Sequence, residues 1–560
     1  MKKTLIVLLL LSTNAFAAAP EPLHARHGVV ASTSPIASRI GVDILKRGGN
    51  AVDAAVAVAL TLAVVWPSAG NIGGGGFMMV RKANGDIEAI DYRERAPLSA
   101  THDMYLDENK NIVKGASTVG YKAVGVPGTI AGLVLAHKRH GHMRWADLVE
   151  PARKLAAEGF TVNYHLAAGL HHKNNIEKLE QFPASKHLFL RDGKPWEMGE
   201  TFVQTDLAST LGRIKNDPAD FYIGETAKLI VADMQKHGGL ITINDLKTYT
   251  PTVRKPIRTT YRGHEIVTMP PPSSGGIALI EMLNMLEPMD LKSMGWHSSK
   301  YVHTVTEVMR RAFADRAQFL GDTDFVKVPM AGLTSRAYAE QRAKSIDPAH
   351  ASNSKDVGAG DPAPYESSET THFTIIDSEG NVVTNTYTLN DSFGSGVTAR
   401  GTGILLNDEM DDFTSKPGEP NVYQLIQGEA NAIQSRKRPL SSMTPTIVLK
   451  DGKVEFAIGS PGGPTIINTV LQVVLNVIDF NMDIQEAISA PRFHHQWLPD
   501  EIFWESFEFN QDTRDALERM GYHFREKPSG LGDAQGIQID ASGVRLGASD
   551  PRLGGAPAGY

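Results

Sequence analysis

Apolar and polar positions alternate along two neighbouring stretches in the second half of the chain. From Thr370 to Asp377 the alternation is that of a half-buried β-strand, and residues 382–389 form a second run of this kind. Between them, residues 378–381 read Ser-Glu-Gly-Asn, which is a composition typical of turns. The pattern therefore predicts a hairpin whose first residue is a threonine.

A second hairpin is predicted further on. Residues 446–449 and 454–458 are apolar runs, and the Asp451-Gly452 pair between them strongly favours a two-residue turn. Because its sequence alternates short strands with turns, this part of the chain favours antiparallel pairing.

Two helices are also predicted. Asn50 can cap a helix over residues 51–65, which Pro67 would end. The second helix follows Gly462, Gly463 and Pro464, and its apolar residues recur at helical spacing: Ile467, Val470, Leu471, Val474 and Ile478. Hairpins mixed with long helices indicate an α+β fold in which helices cover an antiparallel sheet core.

The N-terminus has the three parts of a secretory signal peptide: basic Lys2 and Lys3, an apolar run over residues 5–11, and small residues at 15–17. The apolar run is too short for a membrane-spanning helix, although a retained membrane anchor is the alternative interpretation. We expect residues 1–17 to be removed after Ala17, with Ala19 as a second possible site. The protein is then exported, to the periplasm or the medium, without a membrane anchor.

Composition narrows the classes of function. The formal net charge is -7, which argues against nucleic acid as a partner, and the absence of cysteine excludes disulfides and a thiol nucleophile. Length alone would suggest several domains, but the sequence contains no clear linker. The most polar segment is 347–368, which ends just before the Glu369-Thr370 bond. It is either a surface loop or a segment that becomes a new C-terminus after a cut.

A hairpin that begins with a hydroxyl residue is how N-terminal-nucleophile hydrolases build their active site. In such a site the hydroxyl attacks, and the α-amino group freed by cleavage of the preceding bond serves as its base. An ordinary hairpin with a threonine in it is the alternative, since threonine is common in strands. The other motifs of the chain decide between these interpretations.

These motifs occur in a fixed order, and each is short and specific. They are Asp91-Tyr92-Arg93-Glu94-Arg95-Ala96-Pro97, Thr370-Thr371-His372, residues 386–390 (Thr-Tyr-Thr-Leu-Asn), residues 403–413 (ending Asn-Asp-Glu-Met-Asp-Asp-Phe), residues 437–446 (Lys-Arg-Pro-Leu-Ser-Ser-Met-Thr-Pro-Thr) and residues 459–464 (Gly-Ser-Pro-Gly-Gly-Pro). Together they resemble the γ-glutamyltranspeptidase (glutathione hydrolase) family of N-terminal-nucleophile hydrolases, from about Gly28 to Tyr560.

The resemblance implies a four-layer αββα sandwich and an autocatalytic cut before Thr370. The products would be a large subunit, residues 18–369, and a small subunit, residues 370–560, that together form one intertwined domain. Thr370 would attack the carbonyl of Glu369 during maturation, and later the substrate. The family usually has glutamine or a similar residue before the threonine, so Glu369 departs from the pattern.

The resemblance also assigns roles to three further catalytic residues. Thr388 matches the threonine whose hydroxyl supports the nucleophile, although a strand-filling role is the alternative. Gly462 and Gly463 match the glycines of the oxyanion hole, where preorganised N–H donors stabilise negative charge on the acyl oxygen.

A γ-glutamyl group carries a carboxylate and an ammonium at its far end. Arg93, helped by Ser441 and Ser442, is expected to bind the carboxylate. Asn390, Glu409 and Asp412 match the positions that receive the ammonium. Residues 417–428 correspond to a loop that covers the site in many bacterial members, with Tyr423 as its gate.

The sequence thus predicts γ-glutamyl transfer from glutathione and related amides to water or to amino-acid and peptide acceptors. This chemistry needs no cofactor and no metal, and the pairs His171-His172 and His494-His495 lack metal-ligand spacing. Two alternatives stay open. One is a cephalosporin acylase of the same fold that cleaves glutaryl amides, and the other is a non-catalytic exported binding protein.

Overall fold

A computed structural model describes residues 19–191, 193–362 and 372–560. Thr370, Glu369 and the predicted signal peptide lie outside these ranges. The strands of the described part are β1 Leu23–Ala25, β2 Val29–Ala31, β3 Gly75–Arg81, β4 Ile87–Asp91, β5 Phe160–Thr161, β6 Thr201–Phe202, β7 Thr252–Arg254, β8 Ile257–Tyr261, β9 His264–Thr268, β10 Phe373–Ile376, β11 Val382–Thr388, β12 Thr398–Ala399, β13 Ile404–Leu405, β14 Thr446–Lys450, β15 Lys453–Gly459, β16 Phe493–His494, β17 Phe503–Trp504, β18 Gln535–Ile539, β19 Arg545–Ser549 and β20 Ala558–Gly559.

The helices surround these strands. They are α1 Pro35–Lys46, α2 Ala51–Val65, α3 Thr129–His140, α4 Trp145–Glu158, α5 Tyr164–His171, α6 Lys173–Leu179, α7 Pro183–Leu190, α8 Thr205–Asn216, α9 Asp220–Ile223, α10 Glu225–Lys236, α11 Ile243–Lys247, α12 Gly275–Leu286, α13 Leu291–Met294, α14 Ser299–Phe319, α15 Met330–Leu333, α16 Arg336–Lys344, α17 Thr465–Ile478, α18 Ile484–Ser489 and α19 Gln511–Arg519. Across the described ranges, we find no helix with both the length and the apolar character needed to cross a bilayer.

Two seven-stranded sheets form the centre of the fold. Sheet I has the order β1-β19-β18-β15-β14-β9-β8, and sheet II has the order β20-β2-β10-β11-β3-β4-β7. All pairings within the two sheets are antiparallel. Each sheet contains strands from before and after position 370, so the two parts of the chain share both sheets.

Alternation along the strands divides the core into three apolar layers. In β3, Phe77 and Met79 point between the sheets, where they join residues such as Ile447 and Ala457 of sheet I. Met78 and Val80 point the other way, into the layer under α2. Helices α12, α14 and α17 cover the outer face of sheet I. The αββα sandwich expected from the resemblance is confirmed.

The predicted hairpins and helices are present, with small differences at their ends. Helix α2 spans Ala51–Val65, and Asn50 caps it by accepting hydrogen bonds from Val52 N and Asp53 N. Asp451 and Gly452 form the β14–β15 turn, with φ of 50° and 74°. Helix α17 begins at Thr465, so Pro464 lies just before its first turn.

Strand β10 differs from the prediction in its burial. The alternation predicts a strand with one exposed face, whereas Phe373, Thr374, Ile375 and Ile376 are all buried. The reason is the position of β10 in the middle of sheet II, with helices on one face and sheet I on the other. Its polar Thr374 is accommodated because its hydroxyl donates to the carbonyl of Gln535, 3.2 Å away.

Candidate active site

The ends of β10 and β11 fix one side of the site. Phe373 pairs with Asn385 in the antiparallel ladder, so Thr388 lies three positions beyond that pair, at the end where the chain enters β10. The Thr388 hydroxyl accepts a hydrogen bond from Asn390 N at 2.9 Å. Asn390 has a φ of 81°, and this left-handed conformation turns the chain away from the sheet directly after the strand.

Gly462 and Gly463 lie between β15 and α17. Their φ angles are 132° and 56°, a region that favours glycine, and their carbonyls accept from Thr465 N and Ile466 N at the start of α17. Both sequence-predicted glycines are therefore at a helix N-terminus, where backbone donors and the helix dipole favour negative charge.

The Tyr423 ring lies against Gly463. A Cβ added at Gly463 would be 3.0 Å from two carbons of the ring, so a larger residue there would push the ring away. The Tyr423 hydroxyl donates to the carbonyl of Asn390 at 2.7 Å, which spans the space between β11 and the glycine turn. Tyr423 and Gly462 also line a cavity of about 260 Å³. The predicted gate residue and glycines are thus neighbours.

A buried charge cluster lies on the other side of the site. Arg93 is fully buried and donates to both Glu409 and Asp412, and its Nε donates to the carbonyl of Pro439 at 3.2 Å. Glu409 and Asp412 occupy one 3₁₀ turn. The structure therefore brings together three side chains that the sequence assigned to the carboxylate and the ammonium at the far end of a γ-glutamyl group.

Glu94 belongs to the same cluster and was not predicted from the sequence. It is fully buried, and its carboxyl is 3.6 Å from the Arg93 guanidinium and within hydrogen-bonding contact of Glu409. Its two oxygens accept no hydrogen bond from an N–H or hydroxyl group within the described ranges. The sequence feature that could have identified Glu94 is its position next to Arg93 in the motif at residues 91–97. Burial, reinforced by the charge of Glu409, raises the pKa of Glu94 well above its usual range.

The carboxyls of the cluster outnumber its guanidinium, and burial favours their protonated forms. Burial is the largest influence on Glu409 and raises its pKa to about 7, although the charge of Arg93 opposes the shift. Burial likewise raises the pKa of Asp412, against the charges of Arg93 and the more distant Arg316. One Glu409 oxygen, Oε2, also accepts no hydrogen bond from an N–H or hydroxyl group in the described part of the chain. The cluster is thus suited to receive a further cation.

Ser441 and Ser442 lie close to this cluster and are buried. The Ser442 hydroxyl accepts from Arg316 Nη2 at 3.2 Å, and the backbone of Ser441 pairs with residues 272–274. Arg316, on α14, is a second residue that the sequence did not single out. The sequence gives little indication that Arg316 belongs to the site, because an arginine on a long helix normally lies at the surface.

The two histidine pairs differ in burial, since His494 and His495 are buried whereas His171 and His172 are exposed. His494 is buried between Asn468, which donates to its Nδ1 at 2.7 Å, and Gln496, 3.0 Å from its Nε2. Burial lowers the pKa of His494 to about 3, so it is neutral. Among the described residues there is no group of three or more His, Asp or Glu side chains able to hold a metal ion.

Comparison with known proteins agrees with this geometry. The family model for γ-glutamyltranspeptidase matches residues 37–560. The chain belongs to the γ-glutamyltranspeptidase family. It is 50% identical over 519 residues to the glutathione hydrolase proenzyme of Escherichia coli K12, covering 92% of this chain and 89% of that protein.

Two acylases are also similar to this member of the γ-glutamyltranspeptidase family. The acylase ACY 1 proenzyme of Pseudomonas sp. SE83 is 37% identical over 532 residues, covering 94% of this chain and 92% of that one. The crystal structure of a cephalosporin acylase from Bacillus halodurans superimposes with a TM-score of 0.87 at 28% identity, covering 99% of each chain. The fold is therefore common to γ-glutamyltranspeptidases and these acylases, so the two activities must be distinguished by the residues of the site.

Proposed function

We propose that this enzyme transfers γ-glutamyl groups from glutathione and related amides to water or to acceptor amines, through an acyl-enzyme on Thr370. The observation that carries the proposal is the buried cluster around Arg93. It holds a guanidinium for the carboxylate of a γ-glutamyl group and under-satisfied carboxyls for its ammonium. Membership of the family and 50% identity to a glutathione hydrolase proenzyme support the same activity.

The reaction follows from the groups at the ends of β10 and β11. Thr370 precedes Phe373 by three residues, and Thr388 follows Asn385, the partner of Phe373, by the same number. We infer that the Thr388 hydroxyl supports the Thr370 hydroxyl. The α-amino group freed by maturation has an ordinary pKa of about 7.7–8.0, so it can take the proton of the attacking hydroxyl at neutral pH.

The acyl oxygen becomes negative as the hydroxyl adds to the carbonyl. We assign Gly462 and Gly463 to the stabilisation of this charge, because their turn places backbone donors at the start of α17. The collapse of the adduct expels the amine of the donor, which takes the proton held by the α-amino group, and leaves an ester on Thr370. Water or an acceptor amine then attacks the ester and gives one of its own protons, through the α-amino group, to the threonine oxygen.

Substrate binding would replace ion pairs between protein side chains with ion pairs between the protein and the substrate. In the structure, Arg93 pairs with both Glu409 and Asp412. A γ-glutamyl group brings a carboxylate for Arg93, Ser441 and Ser442, and an ammonium for Asn390, Glu409 and Asp412. The exchange keeps each buried charge paired, which limits the desolvation cost of binding.

The glutaryl acylase alternative is less well supported. A glutaryl amide has the terminal carboxylate but no ammonium, so it would leave Glu94, Glu409 and Asp412 facing one another with no added cation. A non-catalytic binding protein would need the same pocket but no cut before Thr370. A cut before Thr370 would therefore argue against the non-catalytic binding protein, while it is expected for both enzymes.

We further propose that the chain is exported after removal of residues 1–17, and that it matures into subunits of residues 18–369 and 370–560. The names of its proenzyme relatives support the second step. Because both sheets contain strands from each subunit, the cut chains would stay together.

The experiment that tests the proposal is a denaturing gel of the purified protein with N-terminal sequencing of the smaller band. We expect two bands, the smaller beginning at Thr370. Thr370→Ala should give one uncut, inactive band, whereas Thr370→Ser should retain some cleavage and activity because it keeps a hydroxyl. A smaller band that begins elsewhere, or a fully cut Thr370→Ala protein, would exclude Thr370 as the self-cleaving nucleophile.

A further inference from the structure

The segment that covers the site, residues 417–428, has a compact tip. The side-chain oxygen of Asn421 accepts from Tyr423 N at 3.0 Å and from Leu425 N at 3.1 Å, and Asn421 N donates to the carbonyl of Leu425 at 3.2 Å. These bonds hold residues 421–425, here called the tip, as one turn. We therefore expect residues 421–425 to move together when the covering segment is displaced from the site.

The tip is attached to the site on two sides. On the first, Tyr423 bonds to Asn390 and packs on Gly463, as described above. On the second, Val422 N donates to Asp411 Oδ2 at 3.0 Å, and Asn421 Nδ2 lies 3.5 Å from the carbonyl of Asp411. Asp411 is next to Asp412 of the charge cluster, so the second attachment joins the tip directly to the binding turn.

The environment of Asp411 suits this attachment. The residue is only 4% exposed, and the Ser117 hydroxyl donates to its other oxygen, Oδ1, at 2.6 Å. Burial raises the pKa of Asp411 to about 6, while the bonds from Ser117 and Val422 oppose the shift. The carboxylate is thus ionised at neutral pH and accepts from both donors. Hydrogen bonds to a charged group are stronger than those between neutral groups.

A cavity of about 400 Å³ lies beside the tip. Its walls are Gly115 and Ser117 on one side, Pro420, Val422 and Leu425 of the covering segment on another, and Asp411. Because the neighbouring space is empty of protein atoms, packing on that side offers little resistance to displacement of the tip. On this side the tip is held by its hydrogen bonds to Asp411. Elsewhere Gln496 Nε2 donates to the carbonyl of Tyr423 at 3.1 Å, and Leu425 packs in the core.

We propose that Asp411 is a positioning residue that fastens the tip over the glutamyl pocket, and so sets how the acyl-enzyme partitions between water and amine acceptors. This inference rests on the proposed function. Water attack on the Thr370 ester gives free glutamate, whereas amine attack gives a new γ-glutamyl amide, and each restores the threonine hydroxyl. A fastened tip limits the access of water to the ester and favours transfer.

The test compares Asp411→Ala with Glu419→Ala. Glu419 is an exposed acidic residue of the same covering segment whose side chain makes no bond among the described residues, so its variant controls for loss of a charge. The probes are γ-glutamyl-p-nitroanilide as donor and glycylglycine as acceptor. Chymotrypsin, which cuts after Tyr423 or Leu425, reports how often the tip opens.

We expect Asp411→Ala to lower the ratio of transfer to hydrolysis about fivefold or more, and to raise the rate of chymotrypsin cutting within the tip by a similar factor. Glu419→Ala should change neither quantity. Asn421→Ala removes the side-chain hydrogen bonds that hold the tip together and leaves the Asp411 carboxylate in place. It should resemble Asp411→Ala, and it replaces that variant in the test if Asp411→Ala does not fold.

Two outcomes would overturn the inference. Unchanged cutting in Asp411→Ala would mean that the residue does not fasten the tip, and faster cutting with an unchanged ratio would mean that the tip does not govern partition. Failure of the wild-type protein to release p-nitroaniline would instead contradict the proposed function, and the cutting rates would still test the attachment.

Discussion

Two buried charge clusters in this protein differ in how completely their groups are paired. On α14, Glu307 accepts from Arg310, Arg311, Ser352 N and the Tyr522 hydroxyl, at 2.7 to 3.2 Å. Asp500 adds a second carboxylate, which pairs with Arg310. Around Arg93, by contrast, three carboxyls face one guanidinium, and several of their oxygens lack donors in the described ranges.

The pKa shifts of the two clusters have opposite directions. The charge of Arg310 and the hydrogen bonds to Glu307 overcome burial and lower its pKa to about 2, whereas burial prevails at Glu409 and raises its pKa to about 7. A buried carboxylate with all its partners stabilises the native fold, while one that lacks partners costs stability until a cation arrives. We therefore interpret the α14 cluster as structural and the Arg93 cluster as a binding site.

The largest expected effect is on stability, at the α14 cluster. Glu307→Gln should destabilise the protein by about 3–5 kcal/mol, because it leaves two buried arginines short of a counter-charge. The folded fraction should keep its kcat/KM on γ-glutamyl-p-nitroanilide, since Glu307 lies outside the proposed site. Thermal unfolding and initial rates measure the two quantities. A large loss of kcat/KM with unchanged stability would contradict the structural interpretation of this cluster.

The next effect is a pH dependence at Glu409. An ammonium binds the ionised form, so below the pKa of about 7 the carboxyl must first lose a proton, and kcat/KM for the donor should fall by up to tenfold per pH unit from this group. The same raised pKa means that the folded state binds the extra proton, so Glu409 lowers stability as pH rises from its unfolded value of about 4.3 to 7.

Glu409→Gln is the matched variant because it keeps the shape and removes the titration. The ratio of variant to wild-type kcat/KM should rise as pH is lowered from 7.5 to 5.5. The melting temperature of the variant should exceed that of the wild type by the largest amount above pH 7. The α-amino group of Thr370 titrates in both proteins and cancels in the ratio. A ratio that stays constant across this range would show that Glu409 does not titrate in the reaction.

The sequence predicted much of this site because its residues lie in short motifs. Arg93, Glu409, Asp412, Gly462 and Gly463 all came from such motifs, and the structure brings them into two neighbouring groups. The sandwich followed from the resemblance, because hairpins and helices alone indicate only that helices cover a sheet.

Other features depend on tertiary packing and leave no local pattern. Glu307, Arg310 and Arg311 would be read as the polar face of an amphipathic helix, yet all three are buried. Asp411 could not be distinguished from Asp412 by sequence, because its role depends on contacts with Val422, 11 residues away, and Ser117, 294 residues away. The full burial of β10 likewise requires knowing that a second sheet covers it.

The most direct test of the central claim is the specificity of Asp412→Asn. We predict that kcat/KM on γ-glutamyl-p-nitroanilide falls about 30-fold or more, because loss of one partner of a desolvated charge pair costs about 2–5 kcal/mol. Self-cleavage should be intact, and kcat/KM on glutaryl-p-nitroanilide should fall much less, since that amide has no ammonium. An equal fall on both amides would mean that Asp412 acts through the general geometry of the site, and would contradict the assignment of the Arg93 cluster to the ammonium.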